Sequence, residues 1–262
     1  MNFKLKGLVA AAVLAASIPA HAAIDLASTG NGSFLLTAVD FTNNISATFD
    51  LGQNYNDYVG NAASSNAWDL TTGDYATAWS TFMATANVNN IKWFVAAGDN
   101  LGITVGSKGF ISTYAGTPTS WPTSAMITAL GAFDFYAQGN DLSGTGTVVS
   151  NHATVANGAS VANGGQPYAQ TAFTSALKLN NTGPVVGGSI DSALQVFQVL
   201  NAANGLTAAT PTVFAGSSFL LSSNGQLTYT TAIAPVPEAD TYAMMLAGLG
   251  VMGFIARRRT KA

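Results

Sequence analysis

The chain has 262 residues, a formal charge of −3 and no cysteine. Without thiols there are no disulfides, thiolate metal sites or cysteine nucleophiles, so the fold must rest on burial and hydrogen bonding. Residues 23–235 hold three lysines (Lys92, Lys108, Lys178), no arginine, ten aspartates and no glutamate, a formal charge of −7; so few cations cannot neutralise a phosphate backbone, which excludes nucleic-acid binding.

The first 22 residues have the parts of a secretory signal. Lys4 and Lys6 form a basic start, Gly7 to Ile18 an apolar run, and Ala20-His21-Ala22 a small-residue cleavage site. Residues 23–233 are then long enough for one domain with a real core. Its polar surface must be made of Thr, Ser, Asn and Gly, which favours strands and turns over exposed helices. The expected fold is mainly β (α+β), a single antiparallel β-rich domain with about two helices.

Ser33 to Asp40 and Ile45 to Leu51 are apolar-rich runs joined by Phe41-Thr42-Asn43-Asn44, which predicts a hairpin. From Asp69 to Asn87 the period changes. Asp74 is the expected N-cap, and Tyr75, Ala78, Trp79, Phe82, Met83 and Ala86 recur at helical spacing. Ile91 to Ala97 and Leu101 to Val105 read as strands around a Gly98-Asp99-Asn100 turn. A second helix is expected from near Pro122, with Met126, Leu130, Phe133 and Ala137 on one face. Gly139 to Gly165 is almost all small or polar and reads as a long mobile loop. Ser192 to Leu200 alternates as a strand does, with a helix as the other reading. Thr212 to Leu221 and Gln226 to Ile233 flank Ser222-Ser223-Asn224-Gly225, a strong hairpin signal. No fixed-period repeat is present, which argues against a solenoid.

Candidate chemistry is sparse. After signal removal His152 is the sole histidine, no Gly-x-Ser-x-Gly elbow selects a serine, and one histidine cannot build a zinc site. Two carboxylates suffice for a glycosidase, and Asp40, Asp50 and Asp134 are the candidates, with Asp40 and Asp50 able to meet across the first hairpin. No calcium loop of the Asp-x-Asp-x-Asp-Gly type occurs. No catalytic residue, metal site or cofactor is therefore expected. Trp68, Trp79, Trp93 and Trp121 fall within one stretch of the chain; exposed, Trp68 and Trp121 would stack on sugar rings, while the ordinary role of an indole is core.

The end of the chain is different in kind. Ala234-Pro235-Val236-Pro237 is extended and stiff, a linker with its motif over 234–240. Thr241 to Ala256 is uncharged and apolar all round, about 24 Å as a helix against a bilayer core of about 30 Å. Arg257, Arg258, Arg259 and Lys261 follow, and their charge holds residues 257–262 in the cytoplasm and the body outside. The order Val236-Pro237-Glu238, short apolar helix, arginine cluster resembles the PEP-CTERM sorting signal of Gram-negative bacteria, with Ala239 where that family usually has a second proline. The resemblance implies an exosortase-type processing enzyme as partner, transient residence in the inner membrane, and transfer to the cell surface or an exopolysaccharide (biofilm) matrix. The same tail is also labelled an ice-binding protein C-terminal motif, a name that assigns no activity. The hairpin pattern of the body is loosely similar to cores that precede such tails, for which no activity is established. The expected function is an exported surface or matrix protein without catalysis. The alternatives are a carbohydrate-binding module using exposed tryptophans, and an aspartate-based hydrolase.

Overall fold

The computed structural model describes residues 24–141, 147–152, 154–163 and 187–231. The chain divides into two compact units, Met1–Thr231 and Ala232–Ala262. The expected signal segment (1–22), the linker and motif (234–240), the apolar segment (241–256) and the basic tail (257–262) lie outside the described residues. Among those residues no helix is long and apolar enough to cross a membrane.

The first unit is built on one antiparallel sheet. Its long strands are β1 (Ser33–Asp40), β2 (Ile45–Asn54), β4 (Lys92–Asp99), β5 (Gly109–Tyr114), β10 (Leu194–Leu200) and β12 (Pro211–Leu221). Shorter ones are β3 (Asn66–Asp69), β7 (Thr147–Ser150), β8 (Ala159–Asn163), β9 (Gly188–Ser189) and β13 (Gln226–Thr230). The order is β3-β13-β12-β10-β5-β4-β1-β2-β8-β7, with β9 beside β4. A separate pair joins β6 (Trp121–Pro122) to β11 (Ala208–Ala209). Among the described residues three α-helices accompany the sheet, a single turn α1 (Tyr55–Tyr58), α2 (Ala76–Thr85) and α3 (Thr123–Asp141).

Every residue of β1 is buried, because both faces of the central strands are covered. Phe34, Leu36 and Ala38 enter one core and Leu35 and Val39 the other, as strand alternation requires. β4 divides likewise, with Trp93, Val95 and Ala97 against Phe94 and Ala96. The first core forms because the sheet curls on itself. Trp68 Nε1 on β3 donates to the Leu51 carbonyl on β2 at 2.9 Å, although six strands separate them in the order. Phe219 of β12 meets Phe34 at 6.0 Å and Trp68 at 6.1 Å between ring centres inside the curl. The second core lies under α3, whose Met126, Leu130, Phe133 and Ala137 are buried as their spacing predicts. At Gly98 the helix approaches so closely that a Cβ would come within 2.4 Å of Leu130 Cδ2. The Tyr136 hydroxyl of α3 is satisfied inside this core by Thr37 Oγ1 at 2.7 Å and by Thr48 Oγ1.

The predicted hairpins β1–β2 and β12–β13 form, and of the stretch Ser192 to Leu200 the residues Leu194–Leu200 are strand. In the second turn Gly225 has φ +86°, a conformation that costs glycine little. Other expectations need correction. The helix expected after an Asp74 cap starts one residue later than that cap would place it, at Ala76, and Asp69 lies in β3, where it pairs with Gln226 and its carboxylate takes the Thr71 backbone N–H. Asp74 does not cap it; the residue before the helix is Tyr75, and Asp74 lies in a preceding 3-10 turn. Leu101 to Val105 is loop, since Asp99 pairs with Gly109 and the register leaves residues 100–108 outside the ladder. Pro122 pairs with Ala208, and α3 begins one residue later. The segment 139–165 carries the end of α3 and strands β7 and β8; residues 159–162 are buried, their small side chains fitting a tight space that a hydropathy pattern does not reveal.

Candidate functional site

The candidate carboxylates do not converge. Asp40 closes β1, opposite Ile45, whereas Asp50 faces Leu35, five residues back along β1, about 17 Å away at strand rise. They also occupy opposite faces of the sheet, Asp40 in step with Leu36 and Ala38, and Asp50 between Phe49 and Leu51 of the first core. Asp40 is buried. Its carboxylate accepts from the Thr42, Asn43 and Asn87 backbone N–H groups and from Asn43 Nδ2. Burial alone would push this acid up, but the hydrogen bonds from Asn87, Asn43 and Thr42 outweigh it and hold it below the usual carboxylate range. Asp50 accepts from the Gly52 N–H at 3.0 Å. Asp134 of α3 accepts from Ala27 and Ser28 N–H at 2.6 and 3.0 Å, pinning the 3-10 turn Ala27–Thr29 onto the helix. Each carboxylate is used as a turn or cap acceptor, so the paired-acid arrangement is corrected.

His152 was placed by sequence in a mobile loop. It instead occupies the tight connection between β7 and β8, 2 % exposed, its ring so close to Gly158 that a Cβ there would meet Nδ1 at 2.5 Å. Neighbouring Asn151 fixes the connection through Ala159 N–H and the Asp74 carbonyl. Among the described residues no three His, Cys, Asp or Glu side chains gather as a metal site would need.

The tryptophans are core residues. Trp68 and Trp121, the candidates for sugar stacking, are 9 % and 8 % exposed; Trp79 and Trp93 are also buried. Trp68 fills the curl of the sheet, Trp121 packs on Phe197 with ring centres 5.8 Å apart, and Trp93 Nε1 donates to the Ser189 carbonyl at 2.9 Å. The stacking platform expected of an exposed pair is therefore not formed.

A cleft that sequence reading missed lies beside β10. Gln195 faces Ser218 but Phe197 faces Val213, so two residues on β10 span five on β12 and the longer strand bulges. The resulting space of about 370 Å³ is lined by Gly60, Asn61, Gln198, Leu200, Thr210, Thr212 and Val213 to Ala215. Gln198 is held rigid, its Nε2 donating to Tyr55 OH at 2.8 Å and its Oε1 accepting from Gly60 N–H. Asn61, at φ +66°, accepts from Ser217 Oγ and Tyr229 OH. Burial pushes the Tyr55 phenol up to about 12, with Gln198 opposing and Asp99 reinforcing, so it stays protonated and donates no charge. No lining residue is charged. The cleft can hold a neutral ligand by amide, hydroxyl and aliphatic contacts, and it supplies no acid or base. The sequence signal for it is Gly216 within an otherwise regular strand pattern, since glycine in a strand interior marks a bulge.

No curated protein matches the chain, and no solved structure does. The PEP-CTERM protein-sorting motif matches residues 235–259, which include Val236, Pro237, Glu238 and the three arginines. That motif makes the chain an exported protein with a C-terminal signal for processing by an exosortase.

Proposed function

We propose that the chain is a non-catalytic protein of the cell surface or extracellular matrix. The signal segment, cut near Ala20 and Ala22, starts export. The apolar tail then stops in the inner membrane with Arg257, Arg258 and Arg259 in the cytoplasm, and the sorting enzyme acts near Val236-Pro237-Glu238 to release the body to the surface or to exopolysaccharide. The observation that carries this reading is the motif match over 235–259, with basic residues only at its far end. The structural use of Asp40, Asp50 and Asp134 as turn and cap acceptors favours a non-catalytic reading, and none of the three lines the cleft beside β10. Mass spectrometry of the mature protein tests the sorting step. A C-terminus near Glu238 is expected with the sorting enzyme present, and an intact tail to Ala262 without it; one identical C-terminus in both strains overturns the reading.

The uncharged cleft favours a second role, holding a neutral polysaccharide chain within that matrix. A glycan array probed with the full chain and with Thr212→Arg, which blocks the cleft mouth, should show neutral glycans lost in the variant. Equal binding by both removes this role.

A further inference from the structure

Asparagine followed by glycine is a pair open to self-reaction, because glycine puts no side chain in the way when its N–H attacks the asparagine carboxamide. Five such pairs occur, at Asn31, Asn157, Asn163, Asn204 and Asn224. Gly164 lies outside the described residues, and three of the other four pairs are shielded. Gly32 N–H donates to the Gly98 carbonyl at 3.0 Å and Gly225 N–H to the Ser222 carbonyl at 2.9 Å, so each nitrogen must break a bond before it can attack. Gly158 is buried under His152, where an added Cβ would meet Nδ1 of the ring at 2.5 Å.

Asn204 differs on each count. It lies with Gly205 in the loop between β10 and β11, and both residues are exposed. Gly205 N–H has no hydrogen-bond acceptor among the described residues. The carboxamide, by contrast, is held: Asn204 Oδ1 accepts from Leu206 N–H and from Thr207 N–H, each at 3.0 Å. These bonds fold the side chain forward along the chain, over the peptide link whose nitrogen must attack. They also place two fixed donors where negative charge develops as that nitrogen adds to Cγ, which is the arrangement of an oxyanion hole. The loop is steadied from outside as well. Ser124 N–H at the start of α3 donates to the Gly205 carbonyl, and Ala202 N–H donates to Thr123 Oγ1, both at 3.0 Å. A held electrophile beside an uncommitted nucleophile makes ring closure a favoured intramolecular step.

We infer that Asn204 is a self-modifying site, at which the folded chain promotes its own deamidation without an enzyme. Gly205 N–H gives its proton to hydroxide and the nitrogen bonds to Asn204 Cγ. The Cγ–Nδ2 bond then breaks and ammonia leaves, with a cyclic imide behind. Water opens the imide at Cγ to give aspartate, or at the backbone carbonyl carbon to give isoaspartate. Either product adds one negative charge to the −7 carried by residues 23–235. Isoaspartate also lengthens the main chain by one carbon between the contacts that Ala202 and Gly205 make with the start of α3. The test keeps the full chain in mildly alkaline buffer and follows each site over time by peptide mapping with mass spectrometry. Conversion at Asn204 is expected about tenfold faster than at Asn31 and Asn224, the rate equivalent of the one backbone hydrogen bond those sites must first break. In urea, where all pairs are equally exposed, the three rates should converge. Gly205→Ala, whose Cβ would meet only Ser124 Cβ at 3.6 Å, should fold and should slow conversion at 204 to the level of the shielded sites. Equal native rates at the three sites overturn the inference, as does undiminished conversion in Gly205→Ala. The same lead for Asn204 in urea overturns it too, by assigning the rate to local sequence, and a native rate at Asn204 below its urea rate does so by showing that the loop protects.

Discussion

Where β1 passes into β2 the exposed residues are Thr42, Asn43 and Asn44; where β4 passes into β5, at the other end of the sheet, they include Leu101, Ile103 and Val105 beside Gly102, Thr104 and Gly106. Both turns are tied by one buried polar side chain. Asp40 collects Thr42, Asn43 and Asn87, and Asn201 collects Thr104 and Lys108. The apolar end is therefore as well made as the polar one, and its greasy exterior is not the mark of an unfinished turn. The two turns thus differ in the chemistry of their exteriors and not in how firmly they are tied.

The comparison can be broken or sharpened in steps. The largest effect should come from Trp68→Ala, which empties the curl that both ends depend on and orphans the Leu51 carbonyl; a loss of about 3–5 kcal/mol in urea unfolding is expected. Asp40→Ala and Asn201→Ala should each cost about 1–3 kcal/mol, because the first leaves the Thr42, Asn43 and Asn87 N–H groups without their acceptor and the second leaves the Lys108 N–H and the Thr104 carbonyl without theirs. A large disparity between them would mean the two ends are not equivalently built. Asp40 also predicts a pH effect. Its folded pKa is depressed, so its contribution is present above the ordinary value of 3.8 and is lost as pH falls through the lower folded value. Asp40→Asn should flatten the acid limb of the stability curve in that window; an unchanged limb removes the argument. Gly225→Ala should cost about 1–2 kcal/mol for its left-handed backbone, with added crowding against Thr71 and Trp79. Smallest of all, Ile103→Ser should change stability by less than about 0.5 kcal/mol. A larger loss would place Ile103 in the core and end the contrast.

Sequence reading recovered the elements whose signals are local. β1 and β2 announce themselves by apolar runs, the Asn224-Gly225 turn by its residue pair, and α3 by Met126, Leu130, Phe133 and Ala137. It failed where a partner decides. Ala159 to Ala162 looks like loop because its side chains are small, yet strand pairing with β2 and cover from the first core bury it. Leu101 to Val105 looks like strand because it is apolar, yet the Asp99–Gly109 register excludes it. The cleft needed a bulge set by β10 and β12 together, which hydropathy does not encode. The aspartates were visible as residues, but their use as turn acceptors depends on backbone groups from distant segments, such as Ala27 against Asp134. The sorting motif over 235–259 was legible because its signal is linear, an order of residue types along the chain and not a set of partners brought together by folding.

The hydrogen bond from the Trp68 indole to the Leu51 carbonyl draws one last point. It can form only after β12 and β13, which lie between β3 and the middle of the strand order, have arrived, and those are the last strands to emerge from a translocation channel. Closure of the domain is thus timed to the final moments of transit, when so many long-range pairings must assemble at once that folding is slow. A nascent body would stay open, and threadable, until its last two paired strands are in place.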